Sequence, residues 1–221
     1  MDKLEKAMQK ARQQRHYTAP QAASTATTPS APKDGTAYKP PSDADLITIS
    51  EKQLDRARLV AHQSSSKEAD TFRLLRTQVL QVMNREGFKS LAITSPNYGD
   101  GKTTIALNLA LSIAQDLKQT VLLADLDLRK PNLHTYLDIE AKTGLSDYLL
   151  HDTPIPDCLL RLSFERLSIL PAGPAIEQSS EALGLPKMAA LAHELKTRYP
   201  DRFIIYDMPP VLEQDDPLTF I

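Results

Sequence analysis

The stretch from Ser95 to Thr104 contains the residue types of a phosphate-binding loop. Its glycines let backbone N–H groups approach phosphate oxygens, and Lys102 supplies a point charge for β- and γ-phosphates. The Thr103 hydroxyl is a ligand that suits Mg²⁺. The strict pattern G-x-x-x-x-G-K-[ST] is not met, because its first glycine would fall at Pro96. The residues that we expect to bind the nucleotide are Gly99, Asp100, Gly101, Lys102, Thr103 and Thr104.

The residues on either side place this loop between a strand and a helix. An apolar, β-prone run precedes it at 90–94, and apolar residues at helical spacing follow it from Ile105 to Ile113. The N-terminus of a helix that follows a strand and a glycine-rich turn is a site for anions. This context favours nucleotide binding, and the alternative is a glycine-rich surface turn.

Two further apolar runs end in aspartates. The run from Gln119 to Asp125 is typical of a strand buried on both faces of a parallel sheet, and Asp127 follows it. The run from Arg202 to Asp207 ends in a carboxylate of the Walker B type, which holds the water shell of Mg²⁺. The carboxyl ends of such strands meet where ligands bind. We therefore predict that these carboxylates bind Mg²⁺, or that one orients or deprotonates a nucleophile; a charged turn is the alternative for the first pair.

Strand and helix patterns alternate along residues 46–221. Strands are predicted at 46–50, 88–95, 119–125, 159–162, 167–170 and 202–207. Helices are predicted from a Ser50–Gln53 capping box to about 61, and at 67–84, 102–117, 132–137, 143–149 with Ser146 as the N-cap, and 181–199 with a break near Pro186. This alternation predicts an α/β fold with a doubly wound, mostly parallel sheet flanked by helices, as in P-loop NTPases.

Two N-terminal segments differ in composition from the rest of the chain. Residues 1–15 are basic and predict an amphipathic helix, which could dock to a partner helix or an anionic membrane, or could be a solvated helix. Residues 16–45 are rich in Pro, Ala, Ser and Thr and predict a disordered linker, because they carry too little apolar surface to form a core. The remaining segment, 46–221, is predicted to be the P-loop domain.

The composition excludes several classes of protein. The net charge of −2 gives no overall basic field, so no nucleic-acid partner is expected. The single cysteine, Cys158, excludes an intrachain disulfide and fits a reducing compartment. No apolar run is long enough for a membrane span, and the N-terminus lacks a signal-peptide core. A cytoplasmic chain is therefore expected.

Together these motifs resemble those of the bacterial tyrosine kinases of exopolysaccharide and capsule loci, the BY-kinases. The resemblance covers about 68–215. It is strongest at 122–131, Leu-Leu-Ala-Asp-Leu-Asp-Leu-Arg-Lys-Pro, which is similar to the Walker A′ motif of that family. The other similar segments are 94–103 as Walker A, 144–149, 170–173, 204–210 as Walker B, and 71–77 as part of an oligomerisation helix.

This resemblance implies autophosphorylation on tyrosine, with ATP and Mg²⁺. The implied catalytic residues are Lys102, Asp125 and Asp127, and the implied metal ligands are Thr103, Asp127 and Asp207. Asp70, Arg73 and Arg76 share one helix face and would join subunits of a homo-oligomer; a solvated face with local ion pairs is the alternative. A membrane activator of the chain-length-determinant type is the implied partner, and it would recruit the chain to the inner face of the membrane.

The sequence departs from the family pattern in four places. Tyr98 occupies a loop position where the family commonly has proline, and Asp70 replaces a glutamate of the oligomerisation motif. The chain has no tyrosine cluster at its C-terminus, and it stops about a dozen residues after Asp207. We therefore expect the C-terminal part of the domain to be missing. The acceptor tyrosine stays open among Tyr17, Tyr38, Tyr98, Tyr136, Tyr148, Tyr199 and Tyr206.

Three functions fit these residues. The first is the tyrosine autokinase that regulates exopolysaccharide or capsule synthesis or export. The second is a partitioning-type switch ATPase, although Asn97 occupies the position where that class has a signature lysine. The third is a catalytically inactive binding module, which the expected C-terminal truncation would produce.

Overall fold

The computed structural model describes residues 46–116, 119–198 and 201–220. Six strands form one sheet: β1 (Leu46–Ile47), β2 (Ser90–Ile93), β3 (Thr120–Asp125), β4 (Leu160–Leu162), β5 (Leu167–Leu170) and β6 (Arg202–Asp207). Their order across the sheet is β1-β4-β5-β3-β6-β2. Every pairing is parallel except that of β4 with β5, which is antiparallel. The prediction of a mostly parallel α/β sheet is confirmed.

Nine helices accompany the sheet within the described residues. They are α1 (Glu51–Arg56), α2 (Lys67–Glu86), α3 (Lys102–Ala114), α4 (Leu133–Tyr136), α5 (Leu145–His151), α6 (Ile155–Cys158), α7 (Ser179–Leu183), α8 (Pro186–Arg198) and α9 (Asp216–Phe220). The predicted break near Pro186 separates α7 from α8. No helix in these ranges combines the length and the apolar character that a membrane crossing needs. The helix predicted at 1–15 and the linker predicted at 16–45 lie outside the described residues.

The central strands β3 and β6 are buried on both faces, and β3 divides its side chains between two cores. Val121 and Leu123 pack in the core that includes residues of α1, α2 and α3. Leu122 and Ala124 pack in the core that includes residues of α5, α7 and α8. Because successive side chains of a strand point to opposite faces, a strand covered on both sides needs a continuous apolar run. This is why the near-continuous runs in the sequence identify the central strands.

The helix α1 begins as predicted and ends earlier. The Ser50 side chain accepts a hydrogen bond from the Gln53 N–H, and the Gln53 side chain accepts one from the Ser50 N–H, which is the predicted capping box. The extension to about residue 61 is wrong, since α1 ends at Arg56. Arg58 has a positive φ of 52°, so the chain turns away from the helix there.

The start of α5 also differs from the prediction. Gly144 is the N-cap, and its N–H donates to the Asp147 carboxylate at 2.9 Å. Ser146, the predicted N-cap, lies inside the helix, where it is buried and its N–H donates to the Ala172 carbonyl. A Cβ at residue 144 would lie 2.2 Å from the backbone nitrogen of Gly173. The close approach of these two backbone segments therefore selects a glycine at the cap.

Candidate active site

The phosphate-binding loop leads from β2 directly into α3. Gly99 and Gly101 have φ values of 84° and 88°, a left-handed conformation that strains residues with a side chain. Inside the loop, the Asn97 N–H donates to the Asp100 carboxylate at 2.9 Å. No side chain caps α3, which begins at Lys102, so its first N–H groups can bind an anion.

The carboxyl ends of three strands bring the predicted carboxylates to this loop. Asp207 of β6 is in register with Ile93 of β2 on one side and with Asp125 of β3 on the other. A cavity of about 230 Å³ opens at this edge. The predicted site residues that line it are Lys102, Thr103, Asp125, Asp127 and Asp207. The sheet therefore assembles one site from residues that are far apart in the sequence, from Lys102 to Asp207.

Other predicted residues shape the loop without lining the cavity. Gly99, Asp100, Gly101 and Thr104 are not among the residues that line it. Four lining residues, Tyr98, Lys130, Pro131 and Asn132, carry no predicted role in the site. For Tyr98 the sequence offers a signal, because this residue replaces the proline common in the family at that loop position.

Asp125 is buried and organises the turn that follows β3. One of its carboxylate oxygens accepts the Asp127 N–H at 3.0 Å. The other accepts the N–H groups of Asn132 at 3.2 Å and Leu133 at 3.1 Å. Burial, followed by the charge of Asp207, raises the pKa of Asp125 to about 7, while these hydrogen bonds oppose the rise. The carboxyl group is thus held in place and titrates near neutral pH.

Asp207 lies between the loop and the other carboxylates. Burial raises its pKa to about 6, while the Thr103 hydroxyl and the Lys102 ammonium oppose the rise. Its Oδ1 atom is buried and has no hydrogen-bond partner among the described residues. A buried oxygen without a partner is costly unless a ligand satisfies it. Asp207 is therefore suited to bind a cation or its water shell.

Asp127 belongs to a small hydrogen-bonded group. Its Oδ1 accepts the Lys130 N–H at 3.0 Å and the side-chain amide of Gln214 at 3.3 Å. The same amide nitrogen donates to the Tyr98 hydroxyl in a close contact. Gln214 follows the Walker B segment by several residues, and no motif signals it. Its place beside Asp127 depends on the path of the chain after β6.

The predicted metal ligands suit an ion that arrives with phosphates. Among the described ranges, no three His, Cys, Asp or Glu side chains group closely enough to hold a metal by themselves. Thr103, Asp127 and Asp207 nevertheless line one cavity. Mg²⁺ usually takes one or two carboxylates and completes its octahedron with waters and phosphate oxygens. The residues present therefore fit Mg²⁺ bound together with a nucleotide.

The proposed oligomerisation face of α2 makes contacts within the chain. Arg73 donates to the backbone carbonyls of Gln63 and Ser64, both at 2.8 Å, and also contacts Asp70. Arg76 donates to the Ser112 carbonyl of α3 at 2.8 Å. These two arginines therefore attach α2 to its neighbours, whether or not they also contact another subunit.

The fold and the loop define a P-loop NTPase domain, the class that binds nucleotides between a glycine-rich turn and a helix N-terminus. Residues 88–215 match the family model AAA_31, described as an AAA domain. The chain is 33% identical over 164 residues to the tyrosine-protein kinase YwqD of Bacillus subtilis, covering 74% of this chain and 68% of YwqD. It is 32% identical over 143 residues to CapB of Staphylococcus aureus, covering 65% of this chain and 61% of CapB.

A solved structure agrees with these relatives. The chimerical protein CapA2B2 superposes with a TM-score of 0.68 at 32% identity, over 79% of this chain and 74% of that one. The chain therefore belongs to the bacterial tyrosine kinases of capsule and exopolysaccharide loci, a family of P-loop NTPases. It spans about two thirds of the length of the two relatives.

Proposed function

We propose that this chain is an ATP-dependent protein-tyrosine autokinase that regulates the synthesis or export of exopolysaccharide or capsule. The observation that carries the proposal is the convergence of Lys102, Thr103 and three aspartates on one cavity at the carboxyl edge of the sheet. Membership of the bacterial tyrosine kinase family supports phosphoryl transfer to tyrosine as the reaction.

The place of each site residue supports one role in this proposal. Lys102 and the first N–H groups of α3 bind the β- and γ-phosphates. Thr103 and Asp207 would hold Mg²⁺, with Asp127 as a second carboxylate at the metal site; the ion neutralises charge on the phosphate oxygens when it is bound. Asp125 fixes the turn that carries Asp127 and is the candidate base for the acceptor hydroxyl.

The same family membership supports two kinds of partner. The chain forms homo-oligomers through the face of α2 that carries Asp70, Arg73 and Arg76. A membrane protein of the chain-length-determinant type activates it and brings it from the cytoplasm to the inner face of the membrane. Arg73 and Arg76 also donate to backbone carbonyls within the chain, so the same two side chains hold α2 on the fold.

One assay tests the proposal. The chain is incubated with Mg-ATP, with and without the cytoplasmic tail of the activator, and phosphotyrosine, released phosphate and nucleotide binding are measured separately. We expect phosphotyrosine in the wild type and none in Lys102→Met or Asp125→Asn. ATP hydrolysis without phosphotyrosine would overturn the kinase assignment and favour a switch ATPase. The absence of nucleotide binding would favour a binding module.

A further inference from the structure

We propose that Gln214 and Asp127 form a subsite for the hydroxyl group of an acceptor tyrosine, and that the phenol of Tyr98 fills this subsite when no acceptor is bound. The proposal rests on the proposed kinase function and names the residues that would bind its acceptor. No sequence motif assigns such a role to Gln214.

The first observation is that one amide nitrogen contacts both a phenol and a site carboxylate. Nε2 of Gln214 donates to the Tyr98 hydroxyl and also to Oδ1 of Asp127 at 3.3 Å. Two oxygens that share one donor lie within about two hydrogen-bond lengths of each other, roughly 6 Å. A tyrosine hydroxyl is therefore already bound beside a carboxylate of the proposed catalytic group.

The second observation is the place of the Tyr98 ring. Nζ of Lys102 lies 5.1 Å from the ring centroid and Nζ of Lys130 lies 4.1 Å from it, both at cation–π distance. Lys102 is also the residue expected to bind the β- and γ-phosphates. The ring thus lies against the lysine expected to bind phosphates, and both residues line the cavity of the candidate active site.

The third observation is that Gln214 is fixed by the fold. It is only 7% exposed, and its N–H donates to the Pro210 carbonyl at 3.1 Å. The segment before it is bound to the phosphate-binding loop, because the Val211 N–H donates to the Ser95 carbonyl at 2.9 Å. The side-chain oxygen Oε1 is buried and has no partner in the described part of the chain. Nε2 is therefore the atom of this fixed side chain that donates to a phenol at the site.

The reaction that such a subsite serves is a balanced phosphoryl transfer. The phenolic oxygen of the acceptor attacks the γ-phosphorus of ATP, and the bond from this phosphorus to the β,γ-bridging oxygen breaks. ADP leaves with the electron pair of that bond, and the phenolic proton passes to a carboxylate of the site. Gln214 does not exchange a proton; it positions the hydroxyl beside Asp127.

The binding arm of the test needs no turnover. The full chain is labelled with 3-fluorotyrosine, and the Tyr98 resonance is assigned with Tyr98→Phe. We expect N-acetyl-L-tyrosinamide, added with Mg²⁺ and a non-hydrolysable ATP analogue, to shift this resonance towards that of a solvent-exposed tyrosine. N-acetyl-L-phenylalaninamide lacks the hydroxyl and should not shift the Tyr98 resonance. An unchanged Tyr98 resonance, or an equal effect of both probes, would overturn the proposal.

The kinetic arm uses matched variants. Gln214→Met should raise the KM for N-acetyl-L-tyrosinamide about fivefold, the factor for one lost hydrogen bond, and leave the KM for ATP nearly unchanged. Gln115→Met removes the side-chain bond to the Ala61 carbonyl on another part of the surface and should change neither KM. Tyr98→Ala should lower the KM for the probe, whereas Tyr148→Ala, which removes a ring beside Lys187, should not. If both KM values rise together in Gln214→Met, the residue has only a structural role and the proposal fails.

The two arms separate this proposal from the proposed function. Displacement of Tyr98 without any phosphotyrosine supports the subsite and counts against the kinase assignment. Phosphotyrosine formation with no displacement, and with an unchanged KM in Gln214→Met, supports the kinase assignment and rejects the subsite.

Discussion

Asp125 and Asp207 are register partners at the ends of the parallel strands β3 and β6, so two buried carboxyl groups face one cavity. Burial raises the pKa of Asp125 to about 7 and that of Asp207 to about 6, and the charge of Asp207 contributes to the rise at Asp125. The chain thus holds acidic groups where their charged forms are disfavoured. A cation bound at this edge would relieve that cost.

The affinity for a Mg²⁺-bound, non-hydrolysable ATP analogue should increase as the pH rises from about 5.5 to about 8, since both carboxyl groups must lose a proton to face the cation. Titration calorimetry at several pH values measures this. Without Mg²⁺ the trend should reverse, because protonated carboxyl groups repel the phosphates less. An affinity that does not change with pH in the presence of Mg²⁺ would contradict this view of the site.

Asp207→Asn should stabilise the chain in the absence of ligand at pH 8. The folded-state pKa of Asp207 lies above its unfolded value, because burial disfavours the ionised carboxylate. The stability that the protonated form provides is fully present below the unfolded pKa and is lost as the pH rises through about 6. Removal of the charge should raise the free energy of unfolding by roughly 1–3 kcal/mol at pH 8 and have little effect near pH 4. Urea denaturation at the two pH values checks this, and a loss of stability at pH 8 would contradict it.

The sequence predicts the central strands and the loop well because a doubly covered sheet leaves a strong local pattern. The runs that end at Asp125 and Asp207, and the Gly-Asp-Gly turn before α3, are of this kind. Gln214 and Ser146 are residues whose positions the sequence does not predict. The role of Gln214 depends on a contact with Asp127, 87 residues away, and the cap of α5 depends on the approach of a distant glycine. Such contacts leave no periodic signal.

Asn108→Ala should lower the stability of the fold, and it removes no side chain that lines the cavity of the active site. Asn108 is fully buried; its oxygen accepts the N–H groups of Val60 and Ala61, and its nitrogen donates to the carbonyls of Arg58 and Thr104. Loss of this side chain leaves those groups without partners and should cost roughly 2–4 kcal/mol in free energy of unfolding. Denaturant unfolding measures the loss.

The control for this prediction is Asn84→Ala, which changes an exposed asparagine of α2. We expect it to alter the free energy of unfolding by less than about 0.5 kcal/mol. Equal effects of the two substitutions would show that the buried amide does not hold the turn after α1.

Gly144→Ala should strongly destabilise the chain because of a backbone collision. The added Cβ would lie 2.2 Å from the backbone nitrogen of Gly173 and 2.5 Å from the Pro171 carbonyl oxygen. Backbone atoms cannot rotate away, so we expect a loss of about 3 kcal/mol or more. Gly184→Ala is the control, since its nearest contact is 3.3 Å and its φ is −77°. Thermal unfolding compares the two, and similar midpoints would contradict the close approach.

Arg73→Ala should lower the stability of the chain even where it is monomeric. Its guanidinium donates hydrogen bonds to the carbonyls of Gln63 and Ser64. Its removal should therefore lower the free energy of unfolding by about 1 kcal/mol without any change of oligomeric state. Arg85→Ala, which removes an exposed pair with Glu86, should have no measurable effect. Urea unfolding at a concentration shown by sedimentation to be monomeric measures the first effect.

The same variant separates two roles of the α2 face. If Arg73 acts only within the chain, Arg73→Ala changes the stability of the monomer and leaves the association constant at higher concentration unchanged. If it also joins subunits, sedimentation shows weaker association by more than the loss of monomer stability explains. If the stability of the monomer is unchanged, the intrachain hydrogen bonds of Arg73 do not stabilise the fold. Its role on this face of α2 would then be subunit contact.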